Sequence, residues 1–172
     1  KNPDIYFKKV DADDDKALSG AIFEIQRKND KGDFIPIKEN SDVFIPNGTS
    51  SKEKWTESSS SDEKTKGQFE FKNIPNGEYQ IVETKAPNKY TLVEKIVFKF
   101  KVENGKIYYI DRKTNKISKI ELTGNDKTKP NSDSNRILIT NRKAEYPKTG
   151  GFGVWIGYTI IGLLVRFMAV LT

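Results

Sequence analysis

From Lys95 to Val102 the chain alternates with a period of two: Ile96, Phe98, Phe100 and Val102 fall on one side, Lys95, Val97, Lys99 and Lys101 on the other. Asn104-Gly105 follows, and then a second β-type run, Lys106-Ile107-Tyr108-Tyr109-Ile110. Asn-Gly supplies the left-handed residues of the tight turn whose twist matches a pair of antiparallel strands, so this stretch predicts a β-hairpin. Runs of the same kind recur at 5–11, 18–25, 68–71, 78–83 and 136–141, with turn residues such as Pro75-Asn76-Gly77 between them. No long stretch carries the helical period. Roughly seven short strands at this spacing predict an all-β chain, an immunoglobulin-like antiparallel β-sandwich.

The 172 residues suit one domain with a tail. The chain has no histidine and no cysteine, which removes imidazole-dependent nucleophilic catalysis, thiolate and imidazole metal sites, and disulfides. No metal or cofactor is expected. The net charge of +6 comes from lysines mixed with carboxylates through strands and turns, the pattern of a solvated face and not of a nucleic-acid stripe. Asp11, Asp13 and Asp15 have calcium-loop spacing, but Lys16 stands where such a loop needs glycine and Ile22 where it needs glutamate, so a solvated turn is predicted. Residues 39–67 are rich in Ser, Lys and Glu, broken by Val43-Phe44-Ile45 and Trp55, and read as a long surface insertion at about 40–66 with room for one edge strand. Strand-like sequence begins at Lys1 without a basic and apolar leader, so the expectation is a chain whose leader and earlier domains have been cut away, or a fragment.

Three predicted strands end an apolar row with a polar group. Ile5 and Phe7 share a face with Lys9, Tyr79 and Ile81 with Glu83, and Ile137 and Ile139 with Asn141. Lys8 is sent to the opposite face by the same alternation. An amine, a carboxyl and a carboxamide are each costly to bury alone, so they call for one another. Two readings stand. One is a hydrogen-bonded structural cluster built on a Lys9–Glu83 ion pair. The other is chemistry: a desolvated lysine loses its proton and becomes a nucleophile toward the Asn141 carboxamide, while a buried Glu83 keeps its proton and shuttles it, leaving an internal isopeptide bond.

Three segments carry a family resemblance. "FKKVDADDDKALSGAIFEI", "GQFEFKNIPNGEYQIVETKAPNKY" and "ILITNRK" resemble, in order, the signature segments of collagen-adhesin B-type domains, also called SpaA-like pilin domains, of Gram-positive surface proteins. The resemblance covers about residues 4–143 and departs from the family at the insertion. It implies that Lys9, in Lys-x-Asp with Asp11, Glu83, before Thr84, Ala86 and Pro87, and Asn141 form an isopeptide triad with Glu83 as proton shuttle.

Beyond residue 143, Tyr146-Pro147-Lys148-Thr149-Gly150 precedes an apolar stretch, 152–172, interrupted only by the charge of Arg166. That length, with Trp155 near its start, predicts a C-terminal transmembrane segment. The motif resembles a sortase sorting signal, with Tyr146 where leucine is usual. The resemblance implies cleavage between Thr149 and Gly150 and transfer of the Thr149 carbonyl to an amine of peptidoglycan or of another pilin. The expected organisation is thus a sandwich over 1–143, a linker and sorting motif over 144–151, and a membrane segment over 152–172. The implied protein is not an enzyme. It is the wall-proximal stalk domain of an adhesin or ancillary pilus subunit, held in the membrane before sorting and on the cell wall or pilus afterwards. The alternative is an adhesin head whose 40–66 insertion grips a host extracellular-matrix ligand.

Overall fold

The computed structural model describes residues 1–92, 95–122 and 136–143. Among the described residues ten strands are formed: β1 (Ile5–Asp11), β2 (Ile22–Lys28), β3 (Phe34–Pro36), β4 (Thr56–Ser58), β5 (Gln68–Phe71), β6 (Gly77–Lys85), β7 (Ile96–Glu103), β8 (Lys106–Ile110), β9 (Ile117–Glu121) and β10 (Ile137–Asn141). A short 3-10 turn spans Ser51–Glu53. The strands form two sheets, one in the order β10-β1-β5, the other β3-β2-β6-β7-β8-β9, with β4 also paired to β2. Among the described residues no helix is long and apolar enough to cross a membrane. The predicted transmembrane segment and sorting motif lie outside the described residues.

The sheets face each other across an aromatic core. Phe7 of β1 stacks on Phe69 of β5 at 5.0 Å, Phe69 stacks on Phe23 of β2 at 4.0 Å, and Phe98 of β7 meets Phe7 edge-on at 5.4 Å. Tyr79 is wholly enclosed, and its hydroxyl is satisfied by the Pro75 carbonyl at 2.6 Å. The hairpin at Asn104-Gly105 forms as the sequence predicts, both residues at positive φ. Gly105 is needed for a second reason: a Cβ there would stand 2.7 Å from the Lys1 carbonyl oxygen.

The pairings are antiparallel except that of the first and last strands. β1 and β10 run parallel, with Phe7 opposite Ile137, Lys9 opposite Ile139 and Asp11 opposite Asn141. Ile96 is exposed although strict alternation puts it inward, because the β6–β7 register shifts after Ile81 and Val97 takes the buried place. The second strand begins at Ile22, since Gly20 at φ +84° turns the chain just before it. The insertion is more than surface: Ile45 and Trp55 are buried, Trp55 lies edge-on to Phe71 at 5.5 Å, and β4 pairs with the edge of β2.

Candidate functional site

Lys9, Glu83 and Asn141 are all buried, and they meet at one end of the sandwich. Each arrives by its strand's alternation: Lys9 from the middle strand of the small sheet, Asn141 from the neighbouring edge strand, and Glu83 across the core from β6. Oε2 of Glu83 lies 3.6 Å from the Lys9 Nζ and accepts from the Asn141 Nδ2 at 3.2 Å. The second carboxyl oxygen also accepts from that nitrogen, at 3.3 Å. One oxygen therefore touches both the amine and the amide nitrogen.

The surroundings weaken the charges. Lys9 is 0% exposed, its Nζ lies 5.9 Å from the centroid of the Phe23 ring, and it finds no hydrogen-bond acceptor among the described residues. At 3.6 Å the carboxyl is an ion-pair neighbour, longer than a hydrogen bond. Burial brings the Lys9 amine down to about 8 from its ordinary value, against the opposing attraction of Glu83. Burial likewise raises the Glu83 carboxyl, outweighing Lys9 and the Asn141 amide. Both shifts favour the uncharged pair, an amine with a free lone pair beside an acid that still has its proton.

Backbone contacts fix the amine's place. The Lys9 amide donates to the Gly67 carbonyl at 2.8 Å, and its own carbonyl accepts from Leu18 at 2.9 Å. Gly67 sits at φ +81°, and a Cβ there would come within 2.7 Å of the Lys9 carbonyl oxygen. Asp11 closes the same end. Its Oδ1 accepts the amides of Asp13 at 2.7 Å and Asp14 at 3.3 Å, and its Oδ2 accepts the Tyr90 hydroxyl. Burial raises its carboxyl, but the phenol and the two amides more than offset this and hold it below the usual carboxylate range. Asp13 and Asp15 join this turn, where the backbone amides take the Asp11 acceptor.

Phe23, Gly67 and Tyr90 were missed from sequence. Gly67 carried a weak signal, since a glycine before a short strand marks a turn or a close backbone approach. Lys8 is half-buried and pairs in register with Gln68 of β5. Tyr146, Pro147, Lys148, Thr149 and Gly150 lie outside the described residues. Elsewhere, Glu39, Asn40, Trp55, Glu57, Glu70 and Lys72 line a cavity of about 270 Å³. Burial, and the charges of Glu39 and Glu70, push Glu57 there up to about 7. Among the described residues no carboxylate group is arranged to hold a metal ion.

A two-sheet sandwich whose first strand lies beside its last defines the class. The family model of the SpaA prealbumin-like fold domain matches residues 3–117, and the chain belongs to that family. The matched stretch contains Lys9 and Glu83 and ends before Asn141. Among solved structures, the pilus adhesin RrgA from Streptococcus pneumoniae is similar in fold, with a TM-score of 0.53 at 22% identity, covering 86% of this chain and 16% of that one. The full-length pilus protein RrgB from Streptococcus pneumoniae matches with a TM-score of 0.53 at 18% identity, over 86% of this chain and 31% of its own. This chain thus spans less than a third of the length of either. No curated protein sequence matches it.

Proposed function

We propose that this chain is the wall-proximal stalk domain of a cell-wall-anchored adhesin or ancillary pilus subunit, locked by an internal Lys9–Asn141 isopeptide bond. The single observation that carries the reading is the Glu83 oxygen shared between the Lys9 amine and the Asn141 amide nitrogen. In the uncharged pair, Lys9 Nζ attacks Cγ of Asn141 and forms the new C–N bond. The surplus proton on Nζ passes to Glu83, Glu83 delivers a proton to Nδ2, and the C–Nδ2 bond breaks to release ammonia. Glu83 ends as it began, with no oxidation or reduction. Because the carboxyl meets the amide nitrogen here, its favoured part is the proton shuttle, ahead of polarising the carbonyl. The step occurs once per chain and is self-modification, not enzyme turnover. It also removes a buried amine that has no hydrogen bond among the described residues, an arrangement costly to keep as an ion pair.

The bond gives the domain a mechanical role. β1 and β10 are parallel, so tension entering before Ile5 and leaving after Asn141 shears them past each other. With Lys9 joined to Asn141, that tension runs up β1 to Lys9 and across the amide, sparing the strands between. Sortase transfer at Thr149 of the Tyr146–Gly150 motif, retention in the membrane through 152–172 until then, and attachment to peptidoglycan or another pilin complete the reading. The family membership and the pilus-protein folds it resembles support that setting.

Intact mass tests it. The purified parent chain is expected to fall short of its sequence mass by one ammonia, and Lys9→Ala, Glu83→Ala and Asn141→Ala each to show their full sequence mass. A folded parent chain at full mass would leave only a structural cluster.

A further inference from the structure

Tyr90 lies in the connection between β6 and β7 and touches β1, which carries the reacting nitrogen, and the segment that leaves β10, which carries the reacting carbon. Its hydroxyl donates to the buried Asp11 carboxylate, at the end of β1, two residues past Lys9. Its backbone forms an isolated antiparallel bridge with Lys143, two residues past Asn141. Asp11 and Asn141 are themselves partners in the β1–β10 register, and the Ala12 amide donates to the Asn141 carbonyl at 2.9 Å. One residue from a third segment thus grips the end of β1 and the chain just past β10 at the same offset beyond the cluster.

Asn141 needs such a grip. It is the last residue of a five-residue strand that, among the described residues of its sheet, pairs only with β1. Strand ends on a sheet edge open most readily, and a slip of one residue would turn Asn141 away from the core. Attack by an amine requires the reacting atoms to be held at about 3 to 3.5 Å, so a frayed end lowers the fraction of chains able to react. The other end of β10 has its own anchor, since the Arg136 guanidinium donates to the Phe7 carbonyl at 2.9 Å and the Phe69 carbonyl at 3.3 Å. Without Tyr90 the reacting end would rest on the Ala12 amide, the Glu83 carboxyl and the half-exposed Arg142–Asp13 ion pair.

We propose that Tyr90 is a positioning residue for the amide exchange, a clamp that fixes the end of β10 against the end of β1 through the Asp11 carboxylate and the Lys143 backbone. The proposal rests on the isopeptide reading above. Tyr90 touches neither reacting atom and acts through strand placement. A phenol-to-carboxylate hydrogen bond is charge-assisted and suits that task.

The test follows ammonia loss in time. The full chain is made by cell-free synthesis, quenched at intervals and weighed intact, at a temperature where parent and variants are folded. Tyr90→Phe is expected to reach the same final mass about tenfold more slowly, the factor equivalent to about 1.4 kcal/mol of barrier. Asp11→Ala should slow the reaction similarly, and the double variant no further than either alone. A purely structural role would lower melting without changing the rate in folded chains. A second arm uses the Lys9→Ala background, where no bond can form: adding Tyr90→Phe should speed hydrogen exchange at the Ala12 amide while the Ile25 amide keeps its protection. Equal rates in parent and Tyr90→Phe, or unchanged exchange at Ala12, overturn the clamp. A parent chain that never loses ammonia overturns the isopeptide reading instead, and the exchange arm then decides the clamp by itself.

Discussion

Two buried cations sit at opposite ends of the β1–β10 pair. Arg136, with a side chain 1% exposed, is surrounded by acceptors: the Phe7 and Phe69 carbonyls and Oε2 of Glu70 at 3.1 Å, with its guanidinium over the Tyr6 ring at 5.6 Å. Lys9, at 0%, has one carboxyl at 3.6 Å and no acceptor in hydrogen-bond range among the described residues. The partners differ too: the Glu70 side chain is 30% exposed and keeps contact with water, whereas that of Glu83 is 1% exposed. A guanidinium whose one terminal nitrogen reaches two carbonyls and a half-wet carboxylate, even with its Nε left without an acceptor among the described residues, can keep its charge and serve as a strand anchor. A lone ammonium beside an equally dry carboxyl is a way to make both groups give up their charge. The same strand pair therefore holds one cation placed as an anchor and another placed as the proposed isopeptide chemistry requires.

The largest effect should come from breaking the reactive end. On the proposed reading Asn141→Ala forfeits a cross-link that would close a loop of over a hundred residues, and by the loop-entropy estimate used for disulfides the expected loss is about 4 to 5 kcal/mol. Urea unfolding of parent and variant measures it, and an unchanged midpoint would count against a covalent link. Arg136→Met should cost less, about 2 to 3 kcal/mol, because it strands two carbonyls but leaves Glu70 able to turn to water. Its ammonia loss should still go to completion. An Arg136→Met chain that stays at full mass would show that the anchor and the reaction are not separable.

What could be read from sequence follows the range of each interaction. Alternation and the Asn104-Gly105 turn are local, so the β7–β8 hairpin and the inward faces of β1, β6 and β10 were legible. β3 and β9 were not: Phe34–Pro36 is three residues with a proline, and Ile117–Glu121 is an edge strand that is mostly polar and leaves Ile120 exposed. The bulge that turns Ile96 outward is a property of two strands together, invisible in either alone. The same holds around Lys9. Its burial follows from its strand, but Phe23 beneath it, Gly67 against its carbonyl and Tyr90 beyond it come from three other segments that only tertiary packing brings near. The insertion misled for a related reason, because two apolar residues in a polar stretch, Ile45 and Trp55, suffice to anchor it in the core.

The smallest effect, and the sharpest on the contrast, is that of pH on the rate of ammonia loss. Reaction needs Lys9 without its proton and Glu83 with one. Lys9 is lowered to about 8 and Glu83 is raised, so the two values approach each other. Below the Glu83 value the dominant form carries one proton too many, on the amine, and the rate should fall about tenfold per pH unit as pH drops. Above about 8 the dominant form carries one proton too few, on the acid, and the rate should fall again as pH rises. Between the limbs the ion pair and the neutral pair hold a fixed ratio, so the profile is a flat-topped bell. An amine in the ordinary lysine range would instead carry the flat top out to about pH 10 before the rate fell. Arg136→Met should leave both limbs in place, since the guanidinium lies outside the proton path; if it moved either limb, the two ends of the strand pair would be electrostatically one site.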